Sequence, residues 1–303
     1  MVDVNALKTN FPFVKLNEPL RLHCTFGIGG DAKIFAEPTT FEDLMELVDC
    51  LHNNKEAYKI VGNSSNILYS DLGFDGAIIS TSQIKGIQRL SDNVMLVSAG
   101  EQLGAVANLA IKNGLGGLEF AVGIPATIGG AIVMNAGAFG SSISDVVKSV
   151  TYFDGSSLKT KTREELNFGY RKSMFCGRPE FVVMFTELEL AKSSPCDLLK
   201  LANDNINKRK SSQPFGRSAG SVFKKADDIP AGYMIDKCGL KGYKLGGAEI
   251  STVHANFIVN NGDATSEDVL ELIAVMKEKV KEKFDKHLEL EIEIVGIDNG
   301  RKS

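Results

Sequence analysis

The thirty glycines of this chain are not spread evenly; they gather at 27–30, 62–76, 114–140 and 216–247, inside otherwise apolar stretches. Glycine allows close backbone approach and positive φ. Segments of this kind therefore become loops, which either turn short strands or wrap a ligand. The segments between them do not alternate as regular βαβ units, since strand-like and helix-like stretches follow one another without a fixed order. That favours an α+β class over a doubly wound sheet.

The periodic stretches are legible one by one. Residues 40–53 read as a helix, with Thr40 as cap, Asp43 three residues on, and Phe41, Leu44, Leu47, Val48 and Leu51 on one face. Ala57–Val61 and Asp75–Ser80 read as strands. Residues 102–113 read as a helix with Leu103, Val106, Leu109 and Ala110 inward and Gly114 as its stop. Strands are expected at 146–153 and 181–190, and a polar helix at 195–210 ends in Lys208, Arg209 and Lys210, where composition changes and a boundary is expected. Residues 265–286 form the clearest helix, capped by Thr265, with Val269, Leu272, Ile273, Met276, Val280 and Phe284 on a stripe. The tail then changes period: Leu288, Leu290, Ile292 and Ile294 alternate with Glu289, Glu291 and Glu293, the pattern of a half-buried strand.

Composition excludes several classes. With 43% hydrophobic and 24% charged residues the chain is globular, not disordered. A net charge of −4 leaves no basic footprint for nucleic acid. No apolar run is long enough to span a membrane, and residues 1–10 lack a secretory pattern; a cytoplasmic protein is expected. Cys24, Cys50, Cys176, Cys196 and Cys238 form no CxxC clip, and His23, His52, His254 and His287 show no ligand spacing. The thiols are expected to be reduced and mostly buried, and no metal is expected.

Three glycine-rich segments invite a cofactor: Thr25-Phe26-Gly27-Ile28-Gly29-Gly30; Gly62-Asn63-Ser64-Ser65-Asn66; and Gly123-Ile124-Pro125-Ala126-Thr127-Ile128-Gly129-Gly130-Ala131, which leads into Met134-Asn135-Ala136-Gly137-Ala138-Phe139-Gly140. Backbone N–H groups with Ser and Asn side chains can bind a pyrophosphate without net positive charge. None is a Walker loop, and none fits the Rossmann fingerprint; tight turns are the plainer alternative. Tyr170-Arg171-Lys172-Ser173 offers an arginine for a carboxylate or phosphate, but on local sequence alone a surface arginine is the better reading. Ser221, after Gly220, could be presented into a cleft or be an ordinary turn hydroxyl; without a nucleophile elbow a serine hydrolase is disfavoured. Glu289, Glu291 and Glu293 share a face that by default is solvated.

In order, GNSSN, GLEFAVGIPATIGGAIVMNAGAFG, YRKS, QPFGRSAGSVFK, AGYMIDKCGLKGYKLGGAEISTVHANFIVN and LELEIEIVG resemble the UDP-N-acetylenolpyruvoylglucosamine reductase (MurB) family over residues 20–296. The short spacing between YRKS and SAGSVFK matches its shorter, second type. The resemblance implies two α/β FAD-binding subdomains of the vanillyl-alcohol-oxidase (PCMH) type, 1–85 and 86–205, and a C-terminal α+β substrate-binding domain, 206–303, whose last strand returns toward the active site. It implies UDP-N-acetylmuramate dehydrogenase activity in peptidoglycan synthesis: NADPH reduces non-covalent FAD, hydride passes to the methylene carbon of the enolpyruvyl ether, and a proton is added at the neighbouring carbon. Arg171 then matches the arginine that stabilises the carboxylate charge, Ser221 the proton donor, and Glu291 the glutamate that supports the same end of the substrate. FAD is expected on Gly62, Asn63, Ser64, Ser65, Asn66, Gly123, Ile124, Pro125, Thr127, Gly129, Gly130, Ala131 and Asn135. The UDP-sugar is expected on Tyr170, Lys208, Gln213, Lys224, Tyr243, His254 and Asn256. Small-molecule ligands, no nucleic acid or membrane partner, and a monomer complete the expectation.

The chain departs from the family pattern at Lys225-Ala226 in place of Asn-Pro, at Glu249 in place of Gln, at Tyr233 in place of Lys and at Glu293 in place of Arg. Asn63 and Ser64 stand in place of loop glycines. Two rivals remain open: another FAD oxidoreductase, of the kind that tethers flavin through a His or Cys such as His23 or Cys24, and an inactive UDP-sugar-binding regulator.

Overall fold

The computed structural model describes residues 4–296. Contacts divide the chain into two compact units, Met1–Leu16 with Ile34–Asn63 and Gly76–Lys208, and Asn17–Lys33 with Ser64–Asp75 and Arg209–Ser303.

The first unit holds two apolar clusters. One is built on the helix Phe41–Asn53, whose Thr40 Oγ1 accepts the Asp43 N–H at 3.1 Å, closing one of the donors a helix start leaves open. Phe41, Leu44, Leu47, Val48 and Leu51 are buried against Ile34, Ala36, Ala77 and Ile79. Strands Tyr58–Val61 and Phe74–Ser80 run parallel, with Tyr58 opposite Ala77 and Val61 opposite Ser80; Asp31–Ala36 and Val14–Pro19 extend that sheet to four strands. The second cluster lies against a five-stranded antiparallel sheet in the order Leu158–Thr162, Val147–Phe153, Val182–Glu189, Val94–Ser98, Ile87–Arg89.

Helix Leu103–Lys112 buries Leu103, Val106, Ala107, Ala110 and Ile111 in the second cluster. Leu109, expected inward, is 38% exposed. At 3.6 residues per turn it lies about 120° from the centre of that stripe, so Ala107 and Ile111 take the core instead.

In the second unit, helix Ser266–Phe284 is capped reciprocally: Thr265 Oγ1 accepts the Asp268 N–H and Asp268 Oδ2 accepts the Thr265 N–H. Its stripe of Val269, Leu272, Ile273, Met276 and Val280 is buried with Phe26, Ile28, Leu68, Val222, Phe223 and Ile258. A three-stranded antiparallel sheet joins Lys244–Leu245, Ala248–Ile250 and Ile258–Asn260.

The tail is not the single strand its alternation predicts. Only Glu293–Val295 forms a ladder, parallel to Ile67–Tyr69, while Leu290 makes an isolated antiparallel bridge to Phe223. The tail changes partner between the two, and because one pairing is antiparallel and the other parallel, no continuous ladder can form. Alternation survives only in part in the burial: Leu288 and Ile292 are buried and Glu289 and Glu293 exposed, but Leu290, Glu291 and Ile294 are all half-buried, and Val295, on the glutamate side of the alternation, is buried.

The cysteines also correct an expectation. All five are free, but none is fully buried, and Cys176 and Cys196 are exposed. Cys176 follows a tight turn and Cys196 opens a polar helix. Among the described residues no helix is long and apolar enough to cross a membrane.

Candidate functional site

Within the first unit Gly62 and Asn63, which open the second glycine-rich segment, meet the third. A Cβ added at Gly62 would lie 2.2 Å from Thr127 Oγ1, so the two backbones approach as closely as glycine permits. Asn63 and Gln102 exchange amide hydrogen bonds, Nδ2 to Oε1 at 2.6 Å and Nε2 to Oδ1 at 3.0 Å, and Asn63 Nδ2 also donates to the Pro125 carbonyl at 3.1 Å. Gln102 carries no sequence signal of this role.

Within 123–131 several backbone donors are already spent. Ile128 N–H donates to Glu101 O, Gly129 N–H to Ala99 O, Gly130 N–H to Thr127 Oγ1 and Ala131 N–H to Thr127 O. Ile124 N–H is likewise spent on Ala121 O at 3.0 Å, so neither it nor the first turn of helix Ile128–Val133 has a backbone donor to spare. Neither Gly62–Asn63 nor 123–131 contains a carboxylate, so their donors suit an uncharged cradle for a diphosphate. The first segment is different: a Cβ on Gly30 would lie 2.1 Å from Asp71 O. Its glycine serves close packing inside the second unit.

Ser64 holds φ +47°, which explains why glycine is favoured at this loop position. Its Oγ pairs with Tyr69 Oη at 2.8 Å, and burial pushes the Tyr69 phenol well above its ordinary range.

Arg171 sits at the tip of a tight turn with φ +51°. The turn closes where Gly169 N–H donates to Lys172 O at 2.9 Å and Lys172 N–H to Gly169 O at 3.2 Å. Asn135, buried and also left-handed, donates from Nδ2 to Gly169 O at 2.8 Å, and Ser173 Oγ donates to Val133 O at 2.7 Å. The guanidinium donates to Gly137 O at 3.0 Å and lies over the exposed Tyr170 ring, 5.3 Å from its centroid.

In the second unit Ser221 and Glu291 stand on adjacent segments. Ser221 bridges to Phe257 on one side; on the other, Lys224 N–H donates to Glu289 O and Glu291 N–H to Val222 O. Glu291 O accepts Asn66 Nδ2 at 2.8 Å, and Asn66 O accepts the Glu293 N–H at 2.9 Å. Asn256 is spent on the serine segment: its Oδ1 accepts the Phe223 N–H at 3.0 Å and its Nδ2 donates to Phe223 O at 2.8 Å. Burial lowers the pKa of His254, whose Nδ1 accepts the Asn256 N–H at 3.2 Å. Lys224 pairs with Glu289. Gln213 accepts from Arg209, Tyr243 is 43% exposed near the start of the small sheet, and Lys208, in the first unit, is exposed. Among the described residues no three His, Cys, Asp or Glu side chains gather as a metal site.

Comparison with known proteins decides the family. Residues 211–295 match the C-terminal domain of UDP-N-acetylenolpyruvoylglucosamine reductase, and residues 32–158 match an FAD binding domain. A UDP-N-acetylenolpyruvoylglucosamine reductase of Pseudothermotoga lettingae is 41% identical over 95% of this chain and 100% of that protein, and one of Listeria monocytogenes is 40% identical over 97% and 100%. The chain belongs to the UDP-N-acetylenolpyruvoylglucosamine reductase family. The crystal structure of the Thermus caldophilus reductase (MurB) aligns with a TM-score of 0.78 at 35% identity, over 93% of this chain and 98% of that one. The architecture is accordingly the family's FAD-binding fold with its C-terminal domain.

Against the family pattern, the departures fall mostly on polar surface. Lys225 pairs with Asp228, Glu249 Oε2 accepts Asn261 Nδ2 at 3.0 Å, Tyr233 is 53% exposed beside Lys237, and Glu293 is exposed. His23 and Cys24, the candidate flavin tethers, are engaged elsewhere: His23 Nε2 is 2.8 Å from Glu18 Oε1, and the Cys24 thiol donates to Ile28 O.

Proposed function

We propose that this chain reduces the enolpyruvyl group of UDP-N-acetylglucosamine enolpyruvate, using FAD and NADPH, in peptidoglycan precursor synthesis. One observation carries the reading: within a chain of this family, Ser221 and Glu291 are fixed on neighbouring segments by shared backbone hydrogen bonds.

Gly62–Ser65 and Gly123–Thr127, with Asn135, are the residues we assign to FAD; the Asn66 side-chain amide is spent on the Glu291 carbonyl. The tie between Asn63, Gln102 and Pro125 supports treating Gly62–Asn63 and Gly123–Thr127 as one cradle. Bound there, FAD supplies the two-electron redox chemistry. As the hydride reaches the methylene carbon, negative charge grows on the substrate carboxylate, and the Arg171 guanidinium offsets it. Ser221 Oγ then gives its proton to the carbon beside that carboxylate; a hydroxyl is acidic enough only because the receiving carbon is strongly basic. Glu291 supports the same end of the substrate. Tyr170, Lys208, Gln213, Lys224, Tyr243 and His254 are the candidates for the nucleotide sugar; both ends of the Asn256 side-chain amide are spent on Phe223. The division 1–85, 86–205 and 206–303 is part of the same reading; the apolar cluster from Met95 to Ala202 lies wholly within 86–205, whereas the core of the C-terminal part also takes in Phe26, Ile28 and Leu68. The reading takes the enzyme as a cytoplasmic monomer.

The test is the purified protein's visible spectrum followed through the reaction. Flavin bands should be bleached by NADPH and restored by the enolpyruvyl substrate. In Ser221→Ala the bleaching should persist and turnover should fall by ~10²–10⁴-fold, with partial recovery in Ser221→Cys. Near wild-type turnover in Ser221→Ala, with the solvent isotope effect lost in Glu291→Gln, would assign the proton to Glu291.

A further inference from the structure

A single row of hydrogen bonds crosses the segments that carry Ser221 and Glu291, and an asparagine ends it on each side. The Val222 N–H donates to the Asn256 carbonyl at 2.8 Å, the Glu291 N–H donates to the Val222 carbonyl at 2.8 Å, and Asn66 Nδ2 donates to the Glu291 carbonyl at 2.8 Å. The first bond fixes the peptide that leaves Ser221. The second and third fix both peptides that flank Glu291.

The side chains do what backbone alone cannot. The Asn66 carbonyl is engaged by the Glu293 N–H, two residues beyond Glu291. Its side-chain amide supplies a further donor and reaches back to Glu291. Asn256 uses its main-chain carbonyl on Val222 and both ends of its side-chain amide on Phe223. At 6% exposure it is turned to the chain.

We propose that Asn66 and Asn256 are positioning residues that set Ser221 and Glu291 relative to one another for protonation, and that their amides do not touch flavin or nucleotide sugar. This rests on the reaction proposed above. A loose clamp would leave binding intact and degrade the step that needs alignment, since misplacing reacting groups by about 1 Å costs on the order of 10²-fold.

The experiment uses the full-length, FAD-loaded protein with Asn66→Asp and Asn256→Asp. Each substitution keeps size and acceptor and removes the donor. The Asn66 carbonyl still holds Glu293, so the tail stays docked. Asn66→Ala repeats the measurement without the added charge should the aspartate fail to fold. Four quantities are read: flavin per chain, reduction rate with NADPH, substrate dissociation constant from the flavin spectrum, and reoxidation rate with saturating enolpyruvyl substrate. Amide hydrogen exchange at Val222 and Glu291 is read beside them. The first three should hold, reoxidation should slow by about 10²-fold, and exchange at both amides should quicken. Flavin loss in Asn66→Asp would make it a cofactor contact. A raised dissociation constant with unchanged reoxidation would make Asn256 a substrate contact. Equal slowing of both half-reactions would reduce either to a structural role. A wild-type protein that is inert toward the enolpyruvyl substrate sinks the reaction itself; unchanged exchange in the variants then sinks the clamp separately.

Discussion

Gly62→Ala is the substitution whose cost the geometry specifies best. The new methyl would meet Thr127 Oγ1 at 2.2 Å and the Thr127 Cβ and Cγ2 at 3.2 Å. Thr127 is fully buried and cannot swing into solvent, and its Oγ1 accepts the Gly130 N–H at 3.3 Å. Turning that side chain away loses the cap, about 0.5–2 kcal/mol. The remaining overlap adds about 1–3 kcal/mol of overpacking. The stiffer unfolded chain returns about 0.4–1 kcal/mol, because Gly62 does not need positive φ. The net loss is about 2–3 kcal/mol, or a melting point lower by roughly 4–12 °C at ~2–4 °C per kcal/mol. Thr127→Ala alone should lose only the cap. In the double variant the oxygen and Cγ2 are gone, so the two changes should couple by at least about 1 kcal/mol. Thermal melts of the four proteins measure this. Additive losses would refute the claim that Thr127 is what holds position 62 to glycine. Flavin per chain in the double variant then separates a packing glycine from one that must also admit the pyrophosphate.

Arg171→Gly removes the guanidinium while suiting a φ of +51° better than arginine does; folding should persist, flavin reduction by NADPH should survive, and reoxidation by substrate should fall ~10²–10³-fold, whereas equal loss in both half-reactions would indicate a structural role. Burial lowers the folded-state pKa of His254 below its ordinary 6.5. The unfolded chain therefore takes up the proton first as pH falls, so the contribution to stability is complete above 6.5 and is lost below it; urea midpoints at about pH 7 and pH 5 should fall further apart in wild type than in His254→Gln, and identical pH dependence would contradict the shift.

Periodicity made the helices readable, because a capped apolar stripe such as Thr40 to Leu51 needs only local information. It failed at Leu109, where alanines share the inward face and hydrophobicity alone pointed to the larger residue. The tail failed for another reason. Its alternation names Leu288 and Ile292 as buried but not the half-burial of Leu290 and Ile294 or the burial of Val295, because the change of partner between Val222 and Asn66 is a long-range event. The first glycine-rich segment looked like the other two, and only its contact with Asp71 shows that packing accounts for it.

The catalytic candidates were illegible from local chemistry. An arginine after a tyrosine, a serine after a glycine and a glutamate in an alternating tail each have an ordinary reading, and only the order of long motifs along the chain separated them from it. The asparagines are the opposite case. Set among small residues in these motifs, Asn66, Asn135 and Asn256 invite a ligand. Instead their side-chain amides bond main-chain atoms 225, 34 and 33 residues away. A buried amide beside a carbonyl of fixed position satisfies both groups at once, and that satisfaction can be seen only when the fold brings the two together. The same long-range bonding distinguishes the three tail glutamates, which are equivalent in sequence. Glu289 is drawn to Lys224 and Glu293 is exposed, while Glu291 is half-buried with both its N–H and its carbonyl held. A carboxylate that must meet a substrate at one position needs its backbone fixed on both sides, and Glu291, half-buried, is held that way by Val222 at its N–H and Asn66 at its carbonyl.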